Sequence, residues 1–422
     1  MPADIEQAMS LIENGDVKAG LDKLEEIEKV ASDDETLELA AAYQSLGHPH
    51  EVIRIVDRLL QSYPNEGSLL TLKAEAAVDL DREEEAIDLL ESVTVEDESF
   101  LEAQMLLADL YQTQGLEEVA ERKLFMALEQ APDEPILLAG LGSYYVEQGN
   151  YQNAIPYLKQ AIQQGFDPSE ANVNVLLAEA YSNTGAFETA IPYYAEAVEE
   201  DEDPRALFGY GFTALQLNDY STAIEQLENL KKLDPEYSSL YSPLIEAYEA
   251  ERQFENALQT AEAGLEVDRH NEHLYAETGR LQQALGQFEH AEQSLKQALE
   301  YHPGNLGASA ALLRMYADEE RSDDIKTLID QLRAAGEEDP LFTFYEGKAH
   351  YIDDEVEEAL PFYEQAYAYI ETDGGALEEY GHLLLENGRQ KDAKMIFSRA
   401  AQLQPENHEL QLFVEELQSR EQ

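Results

Sequence analysis

Along this chain small and large apolar residues recur in a fixed rhythm. Between Gly142 and Ala161 the small residues Gly142, Ala154 and Ala161 alternate with the large Tyr145, Tyr151 and Leu158, and a polar turn, Gly149-Asn150, separates two apolar runs. Each run keeps its apolar residues on one side of a 3.6-residue period, the pattern of an amphipathic helix. The stretch therefore predicts a helix, a tight turn and a second helix.

The rhythm returns about every 34 residues. Repeats start at Met1, Asp33, Gly67, Leu101, Pro135, Ala171, Pro204, Ser238, Glu272, Leu306, Pro340 and Gly374. From about Glu406 a tail with Leu410, Leu412, Phe413 and Leu417 reads as one more helix. Counted from a repeat start, the fourth, seventh, eighth and eleventh positions share a face of the first helix: Gln104, Leu107, Ala108 and Tyr111, or Asn174, Leu177, Ala178 and Tyr181. The twentieth, twenty-fourth and twenty-seventh share a face of the second, as in Ala120, Leu124 and Ala127. Small residues at the eighth and twentieth positions let the two helices approach closely. Gly at the turn (Gly15, Gly47, Gly115, Gly149, Gly185, Gly286, Gly388) supplies a left-handed cap, and Pro64, Pro132, Pro235, Pro303 and Pro405 stop the second helix.

Departures from the rhythm carry their own expectations. Two extra residues near 164–170 and an acidic connection at 199–204 predict a change of curvature within 164–204. In the Leu306 repeat Ile325 replaces the usual small residue and Ser322 the usual aromatic, which predicts looser packing. Pro156, Pro192 and Pro361 are expected in the first turn of second helices, where proline loses little hydrogen bonding. Residues 1–405 thus read as one tandem array and 406–422 as a C-terminal capping helix, an all-α architecture.

Charge narrows the functional classes. With 27 Lys+Arg against 89 Asp+Glu the net charge is -62, which disfavours nucleic acid, whose phosphates require a basic footprint, and anionic membranes. It favours basic protein partners or solubility. Cys is absent, so disulfides, thiolate metal sites and Cys nucleophiles are excluded. The N-terminus, Met1-Pro-Ala-Asp-Ile-Glu-Gln7, has no basic and apolar leader, and no apolar run reaches the roughly 18 residues of a membrane span. A cytoplasmic location is expected.

Catalytic motifs are missing. Gly209-Tyr-Gly211 lacks the third Gly and the Lys-Ser/Thr of a phosphate loop. His270 with His273, and His48 with His50, read as exposed polar residues rather than metal ligands. Neither an enzyme nor a cofactor is expected.

The period, the small positions and the large positions together resemble the tetratricopeptide-repeat (TPR) family, across nearly the whole chain, although the Trp common at the fourth position is absent. The resemblance implies a right-handed superhelical solenoid of antiparallel helix pairs, with a concave groove lined by first helices that binds partner proteins. It further implies that positions 2, 5, 9, 12 and 13 face the groove. At the ninth position the residues are Ala41, Glu75, Asp109, Ser143, Glu179, Phe212, Glu246, Arg280, Arg314, Lys348 and His382. Acidic and neutral residues give way to three cations, with Phe208, Phe212, Phe344, Tyr345 and Tyr351 nearby. These nine residues from Phe208 to His382 are the candidate partner-binding set. The opposing expectation is internal pairing, Arg280 with Glu277 or Glu246 and Lys348 with Glu346 or Asp318. At the fifth position no repeat carries the Lys of the family's carboxylate clamp.

The function expected is a non-catalytic interaction scaffold or adaptor favouring basic partners, such as those of transcription or translation, RNA polymerase among them. The alternative is a regulatory subunit of an enzyme, or a cell-envelope assembly factor, that grips an acidic or C-terminal peptide in the C-terminal groove.

Overall fold

The computed structural model describes residues 3–168, 172–200 and 202–419; the repeat starts Met1 and Ala171 lie outside them. Among the described residues the chain is all helix and turn, without strands. It divides into two compact units, Met1–Thr213 and Ala214–Gln422.

The first unit comprises α1 (Ala3–Glu13), α2 (Val17–Glu28), α3 (Asp33–Ser45), α4 (Pro49–Leu60), α5 (Gly67–Val78), α6 (Glu83–Glu91), α7 (Phe100–Thr113), α8 (Glu117–Gln130), α9 (Pro135–Glu147), α10 (Tyr151–Gln163), α11 (Val173–Asn183), α12 (Phe187–Glu200) and α13 (Pro204–Gln216), whose last residues pass into the second unit. The second continues with α14 (Tyr220–Leu233), α15 (Tyr241–Ala250), α16 (Phe254–Val267), α17 (Glu272–Ala284), α18 (Phe288–Tyr301), α19 (Leu306–Asp318), α20 (Ser322–Ala334), α21 (Pro340–Ile352), α22 (Val356–Gln365), the short α23 (Tyr367–Ile370), α24 (Gly374–Glu386), α25 (Gln390–Leu403) and the capping helix α26 (His408–Ser419). Within each unit, successive helices form antiparallel pairs stacked as a solenoid, with a separate apolar core under each group of hairpins.

First helices begin where the rhythm places them. α3, α5, α9, α13, α17, α19, α21 and α24 start at the expected residue, and a 3-10 turn at Ser238–Leu240 leads into α15. Local capping explains the starts. Ser32 and Glu35 form a reciprocal capping box at α3, and Asn271, Asn305, Asp339 and Asp373 cap α17, α19, α21 and α24 through their side chains.

The turn position is conformationally fixed throughout. Gly149 has φ +68°, and where a repeat lacks glycine, Asp81, Asn218, Arg252, Glu320 and Asp354 adopt the same left-handed backbone with φ between 55° and 60°. Helix approach is equally strict. A Cβ on Gly142 would lie 2.5 Å from the Leu158 side chain, and one on Gly279 2.5 Å from Leu295. The eighth position is small because a large residue of the paired helix fills the space.

Two local differences from the sequence expectation have simple causes. Pro156, Pro192 and Pro361 stand inside α10, α12 and α22 at the sixth residue, one turn deeper than expected. A proline there removes an internal N–H donor, yet each helix runs on. In the Leu306 repeat the buried Ile325 occupies the site held elsewhere by alanine, and α19 and α20 approach each other less closely than α17 and α18. A cleft of about 550 Å³ opens beside this hairpin, walled by Lys296, Leu299, Tyr316, Asp324 and Leu328 of α18, α19 and α20.

Candidate partner-binding face

Neighbouring first helices are joined side to side by polar contacts between one repeat and the next. In the first unit most of the donors are neutral. Gln44 of α3 donates Nε2 to Asp79 beside α5 at 2.9 Å, Gln112 of α7 donates to Glu147 of α9 at 2.5 Å, and the Ser182 and Thr213 hydroxyls of α11 and α13 are 2.9 Å apart. Among the described residues a cation joins two first helices only at its end, where Arg205 of α13 donates to both Glu179 oxygens, the shortest contact 2.9 Å. An amide holds a carboxylate in place without cancelling its charge. This face therefore stays negative.

The negative charge concentrates where α3, α5 and α7 meet. There a cleft of about 340 Å³ has apolar walls from Ala74, Val78, Leu90, Leu106 and Leu110, with Gln44, Glu75, Asp79 and Asp109 as its polar lining and no cation. The Glu75 carboxyl is pushed above the usual carboxylate range, first by burial and then by the charges of Glu102 and Asp79. A second, smaller cleft of about 270 Å³ repeats the theme: Leu37, Leu59 and Leu69 beneath Asp33, Asp34 and Glu66, with Tyr63 donating its hydroxyl to Asp33 at 3.1 Å.

In the second unit cations join the neutral donors at these seams. Arg280 of α17 makes a two-pronged contact with Glu249 of α15, 2.6 Å at each nitrogen. Burial pushes the Tyr345 hydroxyl of α21 up, and Arg314 of α19 acts on it in the opposite direction. Lys348 of α21 donates to Glu379 of α24 at 2.8 Å and lies 5.9 Å from the centroid of Phe344. Internal pairing is thus present, but with Glu249 and Glu379 in place of the expected Glu277, Glu246, Glu346 and Asp318. Glu277 instead accepts from Ser242, and burial pushes its carboxyl up despite nearby His273. Behind the face, Arg321 clasps Glu292, Asp324 and Glu319, and its hydrogen bonds to Glu292 bring that carboxyl down to about 2.

The aromatic candidates divide. Phe208 and Phe212 stack on one another at 6.1 Å, with Phe212 39% exposed, and Tyr351 donates to Glu386 at 3.1 Å. Phe344 and Tyr345, expected on the groove wall, are each only 7% exposed. The reason is the break between α22 and α23. It brings Tyr369 over Phe344 at 6.1 Å, while Tyr363 meets the same ring at 5.5 Å. His382 is exposed at its edge but leans on Phe397 and Phe413, which ties the capping helix to α24.

Among the described residues no group of three His, Asp or Glu side chains is placed to hold a metal ion, and no helix is long and apolar enough to cross a membrane. His48 lies against Tyr43 and His270 against Tyr301.

Models of the tetratricopeptide repeat match residues 220–404 and 145–210, a YpiA-like tetratricopeptide-repeat model matches 112–166, and a tetratricopeptide repeat protein 21 ARM-repeat model matches 3–128. The chain is also 40% identical, over 407 residues and 96% of both chains, to the TPR repeat-containing protein YpiA of Bacillus subtilis (strain 168). The chain belongs to the tetratricopeptide-repeat family. Among solved structures it is similar to YrrB, a TPR protein with an unusual peptide-binding site, at 16% identity over 44% of this chain and 95% of that one with a TM-score of 0.40. It is likewise similar to PilF of Pseudomonas aeruginosa, at 21% identity over 49% and 94% with a TM-score of 0.41. Together the matched segments run from residue 3 to residue 404, with 211–219 outside them.

Proposed function

We propose that this TPR protein is a non-catalytic scaffold of the cytoplasm that holds basic partner proteins on its first-helix faces. The observation that carries the reading is the composition of the α3–α5–α7 face: three carboxylates, one of them held by the Gln44 amide, over apolar walls, with no cation in the lining of the cleft. Such a surface attracts positive charge and presents apolar area for it to rest on. The abundant basic proteins of a cytoplasm serve transcription and translation, so RNA polymerase and ribosome-associated proteins are the first candidates, engaged through protein surfaces rather than nucleic acid. The alternative of a regulatory or assembly factor that grips an acidic peptide in the second unit requires Arg280 and Lys348 to leave Glu249 and Glu379, and it is the weaker reading.

Exposed charge attraction is screened within about 8 Å at physiological salt. The test is affinity capture with the whole chain as bait, with nuclease present, washed at about 0.1 M and about 0.5 M salt. Retained proteins are expected to be strongly basic and to elute at the higher salt. A partner set that is neutral or acidic, or that resists the high-salt wash, overturns the proposal.

A further inference from the structure

The α3–α5–α7 cleft differs in kind from the clefts of the second unit. Those mix signs, with Lys296 beside Asp324 in one and Arg333 beside Glu338 and Asp339 in the other. Here every ionised group in the lining is a carboxylate. The amide of Gln44 is half satisfied: its nitrogen serves Asp79, while its oxygen Oε1 is buried and receives no donor. A buried acceptor without a donor carries a desolvation cost. Val78, at the mouth, is 37% exposed.

We infer that this cleft receives one arginine side chain of the basic partner, its methylene stem against Val78, Leu106 and Leu110 and its guanidinium among Glu75, Asp79 and Asp109. The inference rests on the reading of the partner as basic and adds where and how it is held. Size agrees, since about 340 Å³ lies at the small end of ligand clefts and suits one long side chain rather than a folded element. Chemistry chooses arginine over lysine. The acceptors come from α5, the residue that follows it and α7, and a guanidinium spreads five donors across a planar fork where an ammonium is a single point. Its flat, weakly hydrated head also tolerates apolar walls.

The test uses the full chain and three synthetic peptides: one of alternating leucine and arginine, a twin with lysine for arginine, and a twin with the neutral isostere citrulline. Binding is read by fluorescence anisotropy at low salt. Glu75→Gln with Asp109→Asn should weaken the arginine peptide about tenfold. Glu118→Gln with Glu129→Gln, exposed on α8 and equal in charge change, should weaken it less than about twofold. Val78→Arg, which places a cation from the chain itself at the mouth, should block the peptide without removing any acid, and circular dichroism should show every variant as helical as the parent. Equal losses in the two acid-to-amide pairs would overturn the arginine cleft and leave the basic-partner reading standing. Lysine or citrulline twins binding as tightly as arginine would also overturn it. If the parent chain binds no arginine peptide at all, both readings fall.

Discussion

The two units use one hairpin and two kinds of lateral bond. In the first, Gln44 and Gln112 join neighbouring first helices through amides, and the charges of Glu75, Asp79 and Asp109 stay open to solvent or partner. In the second, Arg280 and Lys348 reach from the ninth position and close on Glu249 and Glu379. The same repeat can therefore offer charge outward or consume it internally, depending on whether the donor is an amide or a cation. A ninth-position cation is a sign of lateral cohesion here before it is a sign of ligand binding.

Breaking the cation side of this comparison should give the largest effect. Arg280→Glu removes the partner of the largely buried Glu249 and sets a like charge against it. Because the Arg280 side chain is 55% exposed, screening limits the loss to about 1–2 kcal/mol. It should appear as faster amide hydrogen exchange confined to α15 and α17. No change there would mean that the pair contributes nothing to joining the repeats.

The turn residues sharpen the comparison from the other side, since both units share them. Asp81 in the first unit and Glu320 in the second hold a left-handed backbone that strains a side-chain-bearing residue by about 1–2 kcal/mol. Asp81→Gly and Glu320→Gly should each stabilise their own repeat by about 0.5–1 kcal/mol after the greater chain entropy of glycine is subtracted. Repeat-resolved hydrogen exchange would read the gain, and a loss at either site would show that the side chain itself holds the turn.

The smallest effect is in acid. Burial, then Glu102 and Asp79, raises the Glu75 carboxyl, so its ionised form penalises the folded first unit at neutral pH, and the penalty fades as pH falls through that raised value toward the unfolded value of 4.5. Glu292 has the opposite sign. Held down to about 2 by Arg321, it stabilises the second unit fully above 4.5, and this is lost only as pH falls toward about 2. Glu75→Gln should therefore stabilise α5 by a few tenths of a kcal/mol near neutral pH, with the gain shrinking as the solution is acidified to about pH 4. Glu292→Gln should destabilise α18 and α20 at neutral pH. A gain from Glu75→Gln that persists in acid would remove the buried carboxylate charge as its cause.

Much of the fold was legible residue by residue. Gly149 and its counterparts marked the turns, Gly142 and Ala154 the close approach, and Pro340 and Gly374 the helix starts that the structure shows. The candidate face was legible only in part. Glu75 and Asp109 stood at the ninth position, but Gln44 and Asp79 drew no notice because an amide and one more carboxylate carry no motif. Phe344 stood at a groove-side position with Tyr345 beside it, yet both lie in the core, and a break between α22 and α23 folds Tyr369 back over Phe344.

What the sequence by itself determined is the helical pair, its turn, its register and the acidity of the whole. All of these follow from the identity of residues within one or two turns of helix and from a simple sum of charge. What only the tertiary structure decided is which charges are cancelled. Arg280 meets Glu249 and Lys348 meets Glu379 across 31 residues of chain, while Gln44 meets Asp79 across 35. Those pairings depend on how adjacent first helices are spaced and rotated, and side-chain packing between repeats sets that spacing.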